Sequence, residues 1–381
     1  MKNRKKAVIA TIINKEGSTY RQVGAKSIFH ESGKVIGVLS GGCVEEDLFE
    51  YCKDVMETGQ SKTIYYNFQE EDPLLDLNVG CHGAMTIFLQ LFDPINSFQE
   101  CQQLLNNLSK LLVGCKPINL VTIVDSEDEK QIPIGTCFEP NADYYYFNEF
   151  KILKSLHEQP LSIMHSPESN TILETFATNG WINIKVNCYI EKLEPIPRLI
   201  VFGAGPDVIP VVKGAKLLDW HVTVVDHRPG YANKDIFPDA DKIFLIEPGK
   251  PVEDIHVSEN ACTVIMSHHF QQDMLYLKYL LKQHPFYIGL LGARHRSERL
   301  IHELQSQEGI FINANLEEKL HYPVGINIGA ESPGEIAMSI LSEMMLKRNQ
   351  KNGKPLKNTV GPIHCESKNT NKILLGVNTE E

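Results

Sequence analysis

The chain has 381 residues, of which 42% are hydrophobic, and a formal net charge of −11 at pH 7. This length supports two or three domains with buried cores, and the negative charge argues against a nucleic-acid partner. No apolar run is long enough for a membrane span, so the sequence predicts a soluble cytoplasmic protein. The nine cysteines form no C-x-x-C pair, which argues against a disulfide framework and a zinc ribbon.

The first elements predict a small α+β domain with a mixed sheet. Residues 7–13 read as a buried strand, residues 26–31 and 34–39 as a hairpin, and residues 45–57 have the apolar spacing of a helix. Loop 17–25, before the hairpin, carries Arg21 between two glycines. A guanidinium and nearby N–H groups in such a loop can bind an anion, although a connecting loop with a solvated arginine explains the pattern equally well.

A cysteine follows two glycines where the hairpin gives way to this helix, in the sequence Ser40-Gly41-Gly42-Cys43-Val44-Glu45. Gly41 and Gly42 allow a tight turn and the close approach of a ligand, and the N–H groups of a helix start favour a thiolate or an anion. Cys43 is therefore a candidate reactive or ligand-touching residue. The alternative is that Cys43 is a small buried apolar side chain, the usual environment of a free cysteine.

Cys81 is a second cysteine bracketed by glycines, in Gly80-Cys81-His82-Gly83, between predicted strands 63–68 and 85–92. A zinc site formed by Cys43, Cys81 and His82 is conceivable, but adjacent residues rarely ligate one ion together and no fourth ligand is evident. A pocket lined by both thiols is the favoured interpretation. Further along, the pattern predicts a helix over 99–112, strands over 120–124, 131–138 and 181–189, and a helical stretch near 150–157.

The periodicity changes after two prolines at 195 and 197, where strands begin to alternate with helices. Strand 199–202 runs into Gly203-Ala204-Gly205, and a helix to about residue 218 leads to strand 222–225, which ends on Asp226. This is the order of a dinucleotide-binding unit, in which the glycines let a phosphate approach and Asp226 is placed to accept from ribose hydroxyls. Val208 replaces the third glycine of that motif.

The alternating pattern continues with strands 242–245, 263–266 and 287–291, which predicts a Rossmann-like, doubly wound parallel sheet. His268 and the basic cluster that begins at Arg294 follow two of these strands and fall where a ligand would lie, although a histidine at a strand end is as often structural. Ser332, Pro333 and Glu335 predict a capped helix to residue 348. The predicted domains are thus 1–194 and 198–348, followed by a flexible tail over 349–381.

Taken together, the motifs at 17–25, 40–45, 80–83, 203–207, 289–294 and 323–335 resemble the ordered signature of the xanthine dehydrogenase accessory factor (XdhC/CoxI) family. The resemblance implies a molybdenum cofactor chaperone of purine catabolism, which assists sulfuration with a cysteine desulfurase and delivers the cofactor to xanthine dehydrogenase. It implies that Cys43 and Cys81 lie close to the dithiolene or the molybdenum, and that Arg21 and the glycine loops lie near the phosphate. Pro206 stands where the family often has a histidine, so this turn carries no imidazole.

Three functions follow as alternatives from these residues. The leading hypothesis is a maturation factor that binds cofactor and is not itself a complete xanthine dehydrogenase, since the chain lacks iron–sulfur cysteine spacing. The main rival is an NAD(P)-dependent oxidoreductase that uses Gly203, Gly205 and Asp226 to hold a nucleotide in the Rossmann crevice. The third is an adaptor that only docks onto xanthine dehydrogenase. The sequence is compatible with a homodimer without requiring one.

Overall fold

A computed structural model describes residues 5–358 except for positions 18, 43, 69–82, 115, 140–143, 148–149, 154–169, 180–181 and 250–254. The chain divides into two compact units, Met1–Glu194 and Pro195–Asn358. No helix in the described ranges is both long and apolar enough to cross a membrane.

The first unit begins with a five-stranded antiparallel sheet of order β3-β2-β1-β5-β4. Apolar side chains of β1, β5 and helix α1 fill its core, including Val8, Ile12, Ile87, Leu48 and Val55, all 0% exposed. Helix α1 ends at Gly59, whose left-handed φ of 80° closes the helix. The elements are β1 (Ala7–Gly17), β2 (Lys26–His30), β3 (Val35–Ile36), α1 (Glu45–Thr58), β4 (Lys62–Asn67) and β5 (Gly83–Phe92).

A second antiparallel sheet, of six strands in the order β7-β6-β11-β10-β9-β8, completes this unit. Lys26 of β2 reaches this sheet, where its Nζ lies 2.8 Å from Oε2 of the buried Glu191. The elements are α2 (Phe98–Val113), β6 (Ile118–Ser126), β7 (Cys137–Phe138), β8 (Tyr144–Phe147), β9 (Phe150–Leu153), β10 (Asn170–Asn179) and β11 (Ile182–Leu193).

The structure confirms an α+β first unit but corrects three details of the prediction. The sheets are antiparallel in every described pairing, where a mixed sheet was predicted. Strands β10 and β11, for example, are separated by only two residues, and so short a connection can join only antiparallel neighbours. The strand predicted over 131–138 is confined to β7, since Asp128 accepts from the N–H groups of Lys130 and Gln131 and holds a turn there. The helix predicted near 150–157 begins instead as strand β9, paired with β8 in a hairpin, and the rest of it lies outside the described residues.

The second unit is a parallel sheet of order β14-β13-β12-β15-β16-β17, the 3-2-1-4-5-6 order of the Rossmann fold. This confirms the predicted doubly wound sheet. Its central strands, buried on both faces, are continuous apolar runs, as parallel strands require. The strands are β12 (Arg198–Phe202), β13 (His221–Asp226), β14 (Lys242–Leu245), β15 (Ala261–Ile265), β16 (Tyr287–Leu290) and β17 (Leu320–His321).

Five helices in the described residues accompany this sheet, and apolar side chains form one core on each of its faces. The last helix has the predicted capping box: the Ser332 hydroxyl accepts from the N–H of Glu335, and the Glu335 carboxylate accepts from the N–H of Ser332. The predicted tail is described only to Asn358, where it forms a short 3-10 turn; residues 359–381 lie outside the described part. The helices are α3 (Val208–Leu217), α4 (Phe270–Gln283), α5 (Arg294–Glu308), α6 (Ala314–Lys319) and α7 (Pro333–Arg348).

Candidate functional site

The turn between β3 and α1 is built around the carboxylate of Glu45. Its Oε1 accepts from the N–H groups of Leu39 and Ser40, both at 2.9 Å, and its Oε2 accepts from the N–H of Gly42 at 3.0 Å and from the Ser40 hydroxyl. Burial alone would raise the pKa of Glu45, but these hydrogen bonds outweigh burial and hold the pKa below its ordinary value. The first residue of α1 therefore ties the preceding turn together as a charged acceptor.

Gly41 and Gly42 form the exposed tip of this turn. Both have left-handed φ angles, 78° and 111°, which favour glycine. A Cβ at Gly41 would lie 3.4 Å from the ring of Tyr20, so this ring of the β1–β2 loop lies against the turn. The next residue, Arg21, is exposed. The structure thus places the loop that carries Arg21 against the glycine turn through the ring of Tyr20. A loop with an exposed arginine next to a glycine turn fits an anionic ligand.

The two thiols singled out in the sequence cannot be placed in this site. Cys43 and Cys81 lie outside the described residues, as does His82, so the pocket of two thiols and the contact with molybdenum stay predictions. In the described ranges, no group of three His, Cys, Asp or Glu side chains could hold a metal ion. The described free cysteines, Cys52, Cys101, Cys137, Cys188 and Cys262, are all buried.

The glycine turn after β12 is tight for two separate reasons. Gly203 has a left-handed φ of 134°, and a Cβ there would lie 2.4 Å from the carbonyl oxygen of Met266, in the segment after β15. At Gly205 a Cβ would lie 2.4 Å from Oδ1 of Asp207. Only glycine fits either position without a local shift, so the backbone has the close turn that the motif predicts.

Asp226, at the end of β13, is 0% exposed and bonded on both oxygens by its own chain. Its Oδ2 accepts from the N–H of Ala204 at 2.7 Å and from Nη2 of Arg228 at 2.7 Å. Its Oδ1 accepts from the N–H and the Nε of Arg228, at 2.9 and 3.0 Å. Burial raises the pKa of this carboxyl, but the hydrogen bonds from Arg228 and Ala204 prevail and lower the pKa. A ribose hydroxyl would have to compete with these donors, so the predicted ribose contact stays a prediction.

His268 and Asp207 meet across the crevice between β12 and β15. Nε2 of His268 lies 2.8 Å from Oδ2 of Asp207, and the His268 side chain is 61% exposed. The backbone of His268 is left-handed, with a φ of 61°, which is uncommon for a non-glycine residue and is concentrated at functional sites. A ligand at the switch point of the sheet would meet this pair.

Arg294 is exposed at the first residue of α5, and its contact with a ligand in the crevice stays a prediction. The next arginine of this cluster has a structural bond instead: Nη2 of Arg296 donates to Oδ2 of the buried Asp273 at 2.7 Å. The Asp273 carboxylate also accepts from the hydroxyl of Ser267, the residue before His268. The cluster therefore contains one exposed cation and one that braces the loop carrying His268.

Buried polar atoms without partners concentrate behind the same edge of the sheet. Within the described ranges, five buried side-chain polar atoms have no hydrogen-bond partner, and four belong to residues of the second unit. Gln272 and Ser297 lie in the first turns of α4 and α5, each of which follows a strand of the sheet. Such atoms are ordinarily satisfied by ordered water. Two of the four have polar neighbours in the chain, since His227 Nδ1 lies 3.4 Å from Oδ1 of Asp226; the second is Tyr276 Oη, which interacts with the Gln272 side chain. The four atoms are His227 Nδ1, Gln272 Nε2, Tyr276 Oη and Ser297 Oγ.

Three residues of these sites were not predicted from the sequence. Asp207 contacts His268 only because β12 and β15 are parallel neighbours, and no local pattern signals that contact. Arg228 could have been found from its position two residues after the strand-end Asp226, a spacing at which a side chain can fold back onto the carboxylate. Glu45 could have been found as an acidic residue in the first turn of a helix, where backbone N–H groups are unpaired.

These two folds and their glycine turns define a known family of two-domain proteins. Family models described as "XdhC and CoxI family" and "XdhC Rossmann domain" match residues 1–67 and 199–344. The chain belongs to the XdhC/CoxI family, as its motifs predicted.

Individual relatives extend the similarity over both units. The chain is 30% identical over 351 residues to a probable xanthine dehydrogenase subunit from Bacillus subtilis (strain 168), covering 92% of this chain and 96% of that protein. It is 22% identical over 340 residues to the molybdenum cofactor insertion chaperone PaoD of Escherichia coli (strain K12), covering 89% and 83%. A crystal structure of a xanthine dehydrogenase from Bacillus halodurans superposes with a TM-score of 0.66 at 29% identity, covering 92% of this chain and 95% of that one.

Proposed function

We propose that the chain is an accessory protein that binds the molybdenum cofactor as cargo and inserts it into a xanthine dehydrogenase. The observation that carries this proposal is similarity along both units to a protein named as a molybdenum cofactor insertion chaperone. The loop that carries the exposed Arg21 lies against the Gly41–Gly42 turn through Tyr20 and supports the proposal, because a guanidinium and a glycine turn suit the phosphate of a pyranopterin. The dithiolene and the metal would then lie toward Cys43 and Cys81, whose thiolates are the groups that bind soft metals.

We further propose that a cysteine desulfurase is a partner of this protein and that the protein acts in the cytoplasm. A cysteine desulfurase would supply sulfur for sulfuration while the cofactor is held, and transfer would occur in the cytoplasm. Copurification with a tagged xanthine dehydrogenase and a tagged desulfurase tests both partners. Light scattering after size exclusion tests for a homodimer.

The cargo is tested by purifying the full chain from cells that make molybdenum cofactor and measuring pterin fluorescence after oxidation. We expect pterin to coelute with the protein and to be lost in Cys43→Ala, Cys81→Ala and Arg21→Gln. Cys188→Ala is the matched control, since Cys188 is a buried thiol of the second sheet and should leave pterin bound. Absence of pterin from the wild-type protein, even after added cofactor, would refute the proposal.

An NAD(P)-dependent oxidoreductase remains the second candidate because the parallel sheet and the Gly203 turn are those of a dinucleotide-binding fold. The occupied oxygens of Asp226 count against its standard ribose contact. Hydride transfer from NADH or NADPH to an acceptor, followed at the nicotinamide absorbance, would favour this candidate. An adaptor that only docks would form the same complex with xanthine dehydrogenase in the Cys43→Ala variant while never carrying pterin.

A further inference from the structure

The end of β13 presents a guanidinium to the solvent where a dinucleotide-binding fold ordinarily presents a carboxylate. In that fold, the acidic residue at this strand end accepts hydrogen bonds from the ribose hydroxyls. Here the carboxylate of Asp226 is 0% exposed and bonded to Ala204 and Arg228, while the Arg228 side chain is 35% exposed. A ligand that reaches this edge meets Arg228 before it meets the carboxylate behind it.

Arg228 has donors left for such a ligand. A guanidinium carries five N–H donors, and Asp226 takes two of them, at Nε and Nη2, which leaves one on Nη2 and two on Nη1. In the part of the chain that the structure describes, Nη1 has no hydrogen-bond partner. The fork is also held in place from its face, because its central carbon lies 4.5 Å from the ring centroid of Tyr231, itself 41% exposed.

The free donors of Arg228 and the occupied oxygens of Asp226 favour a phosphate over a ribose diol at this edge. The free side of a fixed guanidinium fork matches two oxygens of one phosphate, as in bidentate arginine–phosphate pairs. A ribose diol offers hydroxyl donors that would find no free carboxylate oxygen, since both oxygens of Asp226 are occupied. Nδ1 of His227, the residue between Asp226 and Arg228, lies 3.4 Å from Oδ1 of Asp226, which places one more polar group on this already occupied carboxylate.

We propose that Arg228 binds a phosphomonoester of the ligand at this edge, so that a nucleotide with a 2′-phosphate binds in preference to one with a free 2′-hydroxyl. The inference goes beyond cofactor delivery and does not depend on it. A phosphomonoester could come from such a nucleotide or from the pterin cargo, and the experiment below separates the two sources.

The first arm is calorimetry of the full chain with NADP⁺ and NAD⁺, which differ only in the 2′-phosphate. We expect NADP⁺ to bind about 10- to 100-fold more tightly, the effect of one or two charge-assisted hydrogen bonds. Arg228→Gln should reduce NADP⁺ affinity to that for NAD⁺ or below it, because it removes the partner of the phosphate and frees Asp226 oxygens that a ribose diol could use. Lys347→Gln is the control, since it removes one exposed positive charge at the end of α7 and should change neither affinity.

Loss of Arg228 alone leaves Asp226 buried without its cation, which could unfold the domain. Two further variants therefore accompany it. Arg228→Lys keeps the charge but lacks the fork, and we expect about a tenfold loss for NADP⁺ alone. The double variant Asp226→Asn with Arg228→Gln removes both charges, and circular dichroism verifies that each protein is folded.

The second arm measures the pterin that copurifies with each variant. If neither nucleotide binds but Arg228→Gln loses pterin that Lys347→Gln retains, the phosphomonoester belongs to the cargo, which supports the proposal for Arg228. Equal affinity for NADP⁺ and NAD⁺, or NADP⁺ binding unaffected in a folded Arg228→Gln protein, overturns it. So does the absence of both nucleotide binding and any effect of Arg228 on pterin. None of these outcomes depends on Cys43, whose variants test the proposed function separately.

Discussion

Two carboxylates in this protein shape a candidate ligand site by binding the backbone around it. Glu45 holds the N–H groups that define the Gly41–Gly42 turn, and Asp226 holds the N–H of Ala204 inside the Gly203–Gly205 turn. A carboxylate bonded by several N–H groups is a strong, charge-assisted anchor that fixes loop geometry in advance of a ligand. The carboxylates of Glu45 and Asp226 therefore help to shape the two candidate sites, although neither is the exposed group that a ligand would meet first.

Replacing Glu45 with glutamine should loosen the turn without unfolding the sheet behind it. The amide has the same shape but lacks the charge and offers a single oxygen acceptor for donors that now bond two oxygens. We expect the amides of Leu39, Ser40 and Gly42 to exchange hydrogen at least about tenfold faster, as losing about 1.5–3 kcal/mol of charge-assisted bonding predicts. Exchange mass spectrometry measures this. Glu46→Gln, at an exposed neighbour, should leave the rate unchanged.

The two glycines of the Rossmann turn should respond differently to alanine. Gly203→Ala places a Cβ against the Met266 backbone at a left-handed φ, so we expect a loss of at least about 1–3 kcal/mol in unfolding free energy. Gly205→Ala would clash only with the Asp207 side chain, which can rotate, and would touch the His268 ring at an ordinary contact distance, so the loss should stay below about 1 kcal/mol. Instead, the contact between Asp207 and His268 should be lost, visible as a shift of the His268 ring signals in NMR. Equal destabilisation by both substitutions would contradict this account.

At the scale of elements, local patterns predicted most of the fold and long-range contacts decided the rest. Helix α1, the β2–β3 hairpin and the first five strands of the parallel sheet follow from apolar spacing and turn glycines, whereas the two-residue strand β17 was not predicted. Strand β9 was predicted as part of a helix because the apolar spacing of four residues fits a helix and a strand equally well. Its antiparallel pairing with β8 makes it a strand. The Asp207–His268 contact could not be predicted, since it depends on the register of β12 against β15. The glycine turns could be predicted, but the bonds that occupy Asp226 could not.

The N-terminal cap of α7 was predicted from the sequence, and its contribution to the free energy of unfolding can be measured directly. Ser332→Ala removes the acceptor for the N–H of Glu335 and breaks the capping box. We expect a loss of about 0.5–2 kcal/mol in unfolding free energy of the second unit. Urea denaturation followed by circular dichroism measures it. Ser342→Ala, in the interior of the same helix, should instead be neutral or slightly stabilising because alanine is the better helix former.

Glu343 of α7 ties the helix to the far strands of the sheet. Its carboxylate accepts from the Tyr287 hydroxyl, from Nδ1 of His321 at 3.1 Å and from the N–H of Gly325 at 2.8 Å. Burial raises the pKa of this carboxyl, but the hydrogen bonds from His321, Tyr287 and Gly325 prevail and lower it. A carboxyl with a lowered pKa contributes stability above its ordinary pKa, and that contribution is lost as the pH falls through the native pKa.

Glu343→Gln should therefore cost about 1–3 kcal/mol in unfolding free energy at pH 7. The difference from wild type should shrink as the pH falls below the ordinary range of a glutamate, because the wild-type carboxyl then becomes protonated as well. Urea unfolding at a series of pH values measures this, with the exposed Glu298→Gln as a control that should show no such trend. A difference that does not change with pH would mean that the charge is unimportant.

At the scale of the whole molecule, each unit has hydrophobic cores built from its own residues. The parallel sheet has α3 and α7 in the core of one face and α4 and α5 in the core of the other, all from residues after the prolines at 195 and 197. In the first unit, Lys26 and the buried Glu191 join the first sheet to the second, which ties residues before the boundary to one another. Such self-contained cores make independent folding of each unit the natural expectation.

Expressing residues 195–358 alone tests this expectation. Both cores of the Rossmann unit are then intact, so we expect a monomer with cooperative urea unfolding and a midpoint within about 0.5 M of the corresponding transition in the full chain. In the full chain, Lys26→Met should change the unfolding transition of the first unit and not that of the second. Burying Glu191 without its cation should destabilise the first unit by about 3–5 kcal/mol and leave the transition of the second unchanged. If Lys26→Met shifted both transitions equally, the two units would unfold as one, which would contradict independent folding.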